Sequence, residues 1–312
     1  GHVTGVQTCA LPISLGKYQK ARECHQKALA IAIEIGDRQG ERTIYGNLGD
    51  VFSSLGEYQR AKECSEKALA IAVEIGDRRG EGKINGNLGN VFHSLSEYQK
   101  AKEYNEKALA IAIEIDDKQG EEVSNGNLGN VFMSLGEYQK ARVYYDKALA
   151  IAIEIGERKG GLFLSLGNVY FKLRKNRQAK EYLDKAVGIS IASGDRILGA
   201  YATASLAAVF VSVNDCQKAK EHFEKALTIS RECGCRKVEA IIYISLSNLY
   251  QSLGECSKAE DCIEKAYSIS SQIGDKMLEF ESLLSITQLK IWQSEVVEAK
   301  EYLLQCFAKY EQ

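Results

Sequence analysis

GNLGNVFHSLSEYQKAKEYNEKALAIAIEI, residues 86–115, decides the fold, because the chain writes it three times. Residues 46–75 read GNLGDVFSSLGEYQRAKECSEKALAIAVEI, and residues 126–155 read GNLGNVFMSLGEYQKARVYYDKALAIAIEI. Leu48, Leu88 and Leu128 stand 40 residues apart. The slot continues at Leu166, Leu206, Leu246 and Ile286, with one interval of 38. Self-similarity at a period of this size marks stacked supersecondary units, none of which can bury its apolar face alone.

Each unit reads as two helices. In the first, helix A, Ile44, Leu48, Val51, Phe52 and Leu55 keep the spacing of one helical face. Gly56 stops it, as do Gly136 and Gly254 in the same slot, with Asn214 as a substitute that also tolerates a left-handed backbone. Helix B runs over about 57–75, with Tyr58, Ala61, Cys64, Ala68, Ala72 and Ile75 on one face. Gly76 ends it, and Asp77 is placed to cap the next helix A. The one proline, Pro12, precedes the repeats. Helix B also carries acid–lysine pairs four residues apart: Glu23/Lys27, Glu63/Lys67, Glu103/Lys107, Glu181/Lys185, Glu221/Lys225 and Asp261/Lys265. These are expected to form a solvated outer face.

Composition narrows the function classes. Net charge is −2, with bases interleaved among acids, so neither a nucleic-acid footprint nor a polybasic membrane anchor is present. No stretch approaches the ~20 apolar residues of a membrane span. Nine cysteines are scattered, the pattern of small buried side chains in a reduced cytoplasmic protein. Cys233, Cys235, Cys256 and Cys262 have spacings that fit no common zinc pattern, so no metal site and no cofactor are expected.

Helix pairs with small residues at fixed slots resemble the tetratricopeptide repeat family. The resemblance lies in Leu-Gly-x-x-Phe (Leu48–Phe52, Leu88–Phe92, Leu128–Phe132), in Leu166-Gly167-x-x-Tyr170, and in the alanine pairs Ala61/Ala68 and Ala101/Ala108. The family's usual unit is about 34 residues and closes with proline, whereas this one is longer and has none. The longer form is similar to the repeats of the Leu-Gly-Asn (Partner-of-Inscuteable) proteins and of tetratricopeptide repeat protein 28. The resemblance implies an all-α, right-handed superhelical solenoid of antiparallel helix pairs with the A helices lining a concave groove.

Residues 15–312 are thus expected to form a single solenoid. An orphan helix B (17–35) precedes seven pairs at about 38–76, 78–116, 118–156, 158–194, 196–234, 236–274 and 276–312. Residues 1–14 match nothing in the repeat and resemble a translated sequencing-library adapter, notably VTGVQTCALPI. They read as a non-native artefact or leader, the alternative being a divergent N-terminal cap. What starts at Ser14 reads as the middle of a longer protein.

Catalysis finds no support in the residues. The glycines of GNLG recur with the repeat and read as packing features, and His25, His93 and His222 lack a fixed acid or cysteine partner. No catalytic residue is assigned, and the chain is read as no enzyme. The groove offers two slots three residues apart on helix A. They hold Asn47 and Asp50, Asn87 and Asn90, Asn127 and Asn130, then Ser165 and Asn168, weakening beyond to Asn248. A primary amide pairs with both halves of a peptide group, so a ladder of amides suits an extended backbone, although bracing of neighbouring helices is an equal alternative. Farther along, the inner face turns apolar at Phe171, Val211, Ile241 and Trp292. A carboxylate clamp of the family type needs a lysine where Gly46, Gly86 and Gly126 stand, which disfavours that ligand. The expectation is a non-catalytic protein-interaction scaffold in the cytoplasm, holding an extended peptide or helix of a protein partner. Nucleic acid and membrane are not expected partners. The alternative is the regulatory or sensing array of a larger enzyme or signalling protein.

Overall fold

The computed structural model describes residues 12–157 and 159–310, and among them finds fifteen α-helices and no strand. The A helices are α2 (Arg38–Ser54), α4 (Arg78–Ser94), α6 (Lys118–Ser134), α8 (Gly160–Lys172), α10 (Arg196–Ser212), α12 (Arg236–Ser252) and α14 (Lys276–Trp292). The B helices are α1 (Pro12–Ile35), α3 (Tyr58–Glu74), α5 (Tyr98–Glu114), α7 (Tyr138–Glu154), α9 (Asn176–Ser193), α11 (Cys216–Glu232), α13 (Cys256–Ile273) and α15 (Val296–Tyr310). The orphan B helix thus begins at Pro12 and not Lys17. Residues 12–14 of the expected leader belong to it, and residues 1–11 lie outside the described residues.

The helices gather into two compact units, one reaching Arg174 and the other starting at Lys175. In the first, α2 packs on α3, α4 on α5 and α6 on α7, and each of these B helices packs on the A helix that follows. In the second, α10 packs on α11, α12 on α13 and α14 on α15 in the same way. Within each unit successive A helices also touch: α2 with α4, α4 with α6, α10 with α12, and α12 with α14.

Local chemistry explains the helix ends. After α2 the chain turns through Gly56 at φ +74°, with Glu57 N–H on the Phe52 carbonyl (2.9 Å) and Gly56 N–H on that of Ser53 (3.1 Å). This pair of bonds satisfies carbonyls that the helix leaves open, and it requires a left-handed residue. The same slot is filled by Asn214, but also by Ser96, Arg174 and Ser294, all at positive φ. The opposite ends are capped as expected: Asp37, Asp77 and Asp117 each accept from the backbone N–H three residues on, at 2.9–3.0 Å.

The core is one small residue facing one variable one. Gly49, Gly89 and Gly129 sit where a Cβ would strike Ser65 Oγ (2.6 Å), Asn105 Nδ2 (2.2 Å) and the Tyr145 ring (2.5 Å). Glycine therefore sets how closely A and B approach. Leu48, Leu88 and Leu128 lie beside this contact and are buried, each stabilising the fold by about 1.5–3 kcal/mol. The aromatic three residues past the glycine stacks on helix B: Phe92 on Tyr104 with centroids at 5.1 Å, Phe132 on Tyr144 at 5.2 Å.

Cations complete this layer. Lys62 and Lys100 lie over Phe92 (5.6 and 5.3 Å), Lys140 over Phe132 (5.4 Å), Lys218 over Phe210 (5.7 Å), and Lys220 and Lys258 over Tyr250 (6.0 and 5.5 Å). In α14 the aromatic is replaced by Lys290, and the charges around it are reversed. Its ammonium is buried and donates to Glu260 (2.7 Å), Glu295 (2.8 Å) and Glu298 (2.9 Å). Glu260 and Glu298 occupy the slots from which Lys62 and Lys100 approach Phe92. One unit has exchanged a ring between cations for a cation between carboxylates.

The expected acid–lysine ladder of helix B is largely redirected. Asp261 and Lys265 pair at 2.5 Å, whereas Lys67, Lys107 and Lys185 lie over Tyr45, Tyr104 and Tyr182 at 4.9–5.4 Å. A ring on the same or the preceding helix competes with a solvated carboxylate for the ammonium. One recurring ion pair between helices binds the start of helix A to the end of its partner: Arg38 to Glu74, Arg78 to Glu114 (2.5 Å) and Arg196 to Glu232.

Candidate functional site: the A-helix face

The two amide slots lie on α2, α4, α6 and α8 in the first unit, and Asn248 lies on α12 in the second. The structure divides them into three groups. Asp50 and Asn87 are brought together: Asn87 Nδ2 donates to Asp50 Oδ1 at 2.8 Å and so ties α4 to α2. Asn130 is also engaged, its Oδ1 accepting from the Tyr145 hydroxyl at 2.7 Å, and burial pushes the ionisation of that phenol upward. Asn127 is closed off at 2% exposure, with neither amide atom bonded. Asn47, Asn90 and Asn168 are half-buried and Asn248 is exposed. Among the described residues no hydrogen bond is made by the side chains of these four.

Glycine and serine slots flank the amides. At Gly46 an added Cβ would meet nothing, and at Gly86 and Gly126 it would only reach ordinary contact at 3.9 Å. Of the two glycines in GNLG, then, only the second serves packing, and the first leaves open space over the A helices. Ser54 and Ser94 turn back on their own helix, donating to the carbonyls of Asp50 (2.9 Å) and Asn90 (3.1 Å).

His93 is the residue that the sequence undervalued. Its Nε2 lies 2.8 Å from Ser134 Oγ, linking α4 to α6, and its ring rests on Tyr98 at 5.5 Å. Burial holds the imidazole below the usual histidine range, opposed by a hydrogen bond that the ring donates to the Asn130 backbone. The available signal was its slot, since Ser53 and Met133 stand there in otherwise near-identical units.

No group of three or more His, Cys, Asp or Glu side chains among the described residues could hold a metal ion. Cys262 is buried, which pushes its thiol up to about 11, and Cys233 and Cys256 lean on the backbone carbonyls of Ser230 and Gly254. None of the described helices is long and apolar enough to cross a membrane.

Stacked helix pairs, with a glycine contact inside the α2/α3, α4/α5 and α6/α7 pairs and polar slots along the A helices, define a helical-repeat protein. Family models described as tetratricopeptide repeat match residues 13–74, 55–114 and 160–232, residues 125–152, and residues 240–273. The chain belongs to the tetratricopeptide repeat family. No curated protein matches it in sequence. Among solved structures it is similar to the apo form of RapI, with a TM-score of 0.70 at 18% identity over 87% of this chain and 99% of that one. It is also similar to the apo quorum sensor NprR from B. thuringiensis (TM-score 0.72, 12% identity, 94% of this chain and 83% of that one). A third is the Rap conjugation gene regulator of the plasmid pLS20 in complex with the Phr* peptide (TM-score 0.69, 17% identity, 88% and 75%). At these identities the likeness establishes the fold.

Proposed function

We propose that the chain is a non-catalytic interaction module whose A-helix face in the first unit holds an extended peptide of a protein partner. The observation that carries this reading is the set of half-buried amides without a partner, Asn47, Asn90 and Asn168, the first two on helices whose glycine slots, Gly46 and Gly86, packing leaves open. Each such amide can donate to a peptide carbonyl and accept from a peptide N–H, and backbone recognition of that kind is indifferent to the ligand's side chains. Asp50, Asn87, Asn127 and Asn130 support the site from behind: three are engaged in bonds that fix the A helices, and the fourth is enclosed.

A regulatory role is the second reading. It is supported by two of the similar structures, the quorum sensor NprR and a conjugation gene regulator in complex with a peptide. In both readings the event is peptide capture. The test is affinity capture with the whole chain, followed by binding of the captured partner's peptides to Asn47→Ala/Asn90→Ala. Loss of binding with unchanged helicity is the expected result. Unaltered affinity would assign the amides to structure alone.

A further inference from the structure

Three junctions between successive A helices of the first unit carry the same pair of polar slots, and each treats it differently. Between α2 and α4 the pair closes directly, Asn87 donating to Asp50 at 2.8 Å. Between α6 and α8 the pair is Asn130 and Ser165, and a third group joins them. The Tyr145 hydroxyl, reaching across from α7, donates to Asn130 Oδ1 at 2.7 Å and lies within hydrogen-bonding reach of Ser165. Its ring passes over Gly129, where an added Cβ would stand 2.5 Å from it. Between α4 and α6 the register sets Asn127 against Asn90, at the same separation of 37 residues as Asn87 and Asp50. These two helices touch, and His93 meets Ser134 at 2.8 Å farther along them. Yet the two amides make no bond to each other.

The middle junction lacks a side chain that reaches as far as Tyr145 does. That slot on α5 holds Asn105, which faces Gly89 as the tyrosine faces Gly129. Asparagine is shorter by most of a ring, and its Nδ2 turns back to the Ala101 carbonyl at 2.8 Å. Its Oδ1 is left without a partner in a side chain only 1% exposed. Asn127 is 2% exposed, and neither its Nδ2 nor its Oδ1 has a partner. Asn90 is half-buried, and its side chain makes no bond among the described residues. By correspondence with Tyr145, Ser165 and Asn130, these three amides from three helices converge on one region, the place that a phenol fills one unit later. Buried amide atoms carry their full desolvation cost unless something pairs with them. Here the occupant must accept from Asn127 Nδ2 and also donate to amide oxygens. A cation cannot accept, an anion cannot donate, and an apolar molecule does neither. Water does both, and buried water typically makes about three hydrogen bonds.

We propose that the junction of α4, α5 and α6 is an internal water site, built by Asn90, Asn105 and Asn127, in which water takes the place that the Tyr145 hydroxyl holds at the next junction. A first water accepts from Asn127 Nδ2 and donates to the oxygens of Asn105 and Asn90. The difference in length between a phenol and an amide leaves room for a second, on Asn127 Oδ1. The three junctions are then closed by a direct bond, by water and by a hydroxyl in turn. A primary amide has two donors and an acceptor with two lone pairs, so Asn90 keeps capacity for a peptide on its open side. The water site neither requires peptide capture nor competes with it.

The test uses the whole chain. A high-resolution crystal structure is expected to show an ordered water oxygen within hydrogen-bonding distance of the Asn127 amide and of Asn90 or Asn105. A direct bond between Asn90 and Asn127 without water, or a dry junction, overturns the proposal. Two variants then ask whether the position needs a hydrogen-bonding group or merely needs filling. Asn105→Tyr and Asn105→Phe both lay a ring over Gly89, and only the first supplies a hydroxyl. Asn105→Tyr is expected to displace the water from the crystal structure. Its α4 and α6 amides should exchange with deuterium about tenfold more slowly than those of Asn105→Phe, because only the phenylalanine ring leaves Asn127 unpaired. Equal protection in the two variants overturns the proposal, since the junction would then want bulk and not a hydrogen bond. So does a water that remains on Asn127 in Asn105→Tyr, which would place it away from the hydroxyl's position. The crystal structure of the unaltered chain decides the matter even where a variant fails to fold.

Discussion

Replacing Lys290 with phenylalanine restores the ring that six other units carry in this slot, and it should nevertheless destabilise the protein. The side chain is buried and its ammonium joins Glu260, Glu295 and Glu298. Removing the cation leaves three carboxylates around an apolar ring. Those carboxylates are one-third to one-half exposed, so water recovers part of the loss. The cost is then about 2 kcal/mol, set by pairs worth about 0.2–1 kcal/mol each, and not the 3–5 kcal/mol of a sealed ion pair. Adding Glu260→Lys and Glu298→Lys rebuilds the arrangement seen around Phe92 with Lys62 and Lys100. Two cation–π contacts of roughly 0.5–1 kcal/mol should then return most of the stability. Arrays of repeats unfold in parts, so a global midpoint is a poor readout. Trp292 is the only tryptophan and ends the helix that bears Lys290, which makes its emission in a urea titration a local probe. The expected coupling between Lys290→Phe and the paired glutamate substitutions is at least about 1 kcal/mol. Additivity to within about 0.5 kcal/mol would refute the charge-exchange argument.

Other expectations follow from particular contacts. Gly89→Ala and Gly129→Ala drive a methyl into Asn105 and Tyr145 and should cost about 1–3 kcal/mol in denaturant unfolding. Gly46→Ala meets nothing and should stabilise α2 by up to about 1 kcal/mol, while crowding the face above it and weakening captured peptides. Ser96→Gly and Arg174→Gly, both at φ near +60°, should each raise stability by about 1 kcal/mol, as read by thermal unfolding of the single variants. For His93 the folded state binds its proton less readily than the unfolded state does. Its contribution is therefore present above about pH 6.5 and is lost as the pH falls through that value toward the folded pKa. Stability measured from pH 7.5 to 5 should fall less in His93→Gln than in the unaltered chain; parallel curves would contradict the assignment.

The sequence announced the helices and their ends because those signals are local. A left-handed residue and an aspartate cap act within four residues, and glycine and aspartate fill these slots in several units, with Ser96, Arg174 and Ser294 among the exceptions. The tightness of the glycine contact was readable for the same reason, once Leu-Gly-x-x-Phe had been aligned. Which lysine meets which ring was not readable, since the contact depends on how far one helix leans over another. The Lys290 cluster escaped notice although its signal was present in the columns: a base where aromatics stand, and acids in the two slots that elsewhere hold Lys62 and Lys100. The amide ladder was legible as a pattern but not as a set of roles. Asn87 and Asn90 are three residues apart on one helix, yet one is bound to Asp50 and the other makes no bond. Only the neighbouring helix distinguishes them.

The series Ser65, Asn105 and Tyr145, facing Gly49, Gly89 and Gly129, bears on how so repetitive a chain avoids confusing its own copies. Helices that are near-duplicates invite a shift by one unit during folding, in which an A helix closes on the wrong B helix. A shift by one unit here would set Asn105 where the Tyr145 ring belongs, leaving a void beside Gly129 and removing the hydroxyl that Asn130 accepts from. The three pairs look alike from outside and are keyed differently within. Outer surfaces of neighbouring units can thus stay uniform while each helix pair remains individually addressed.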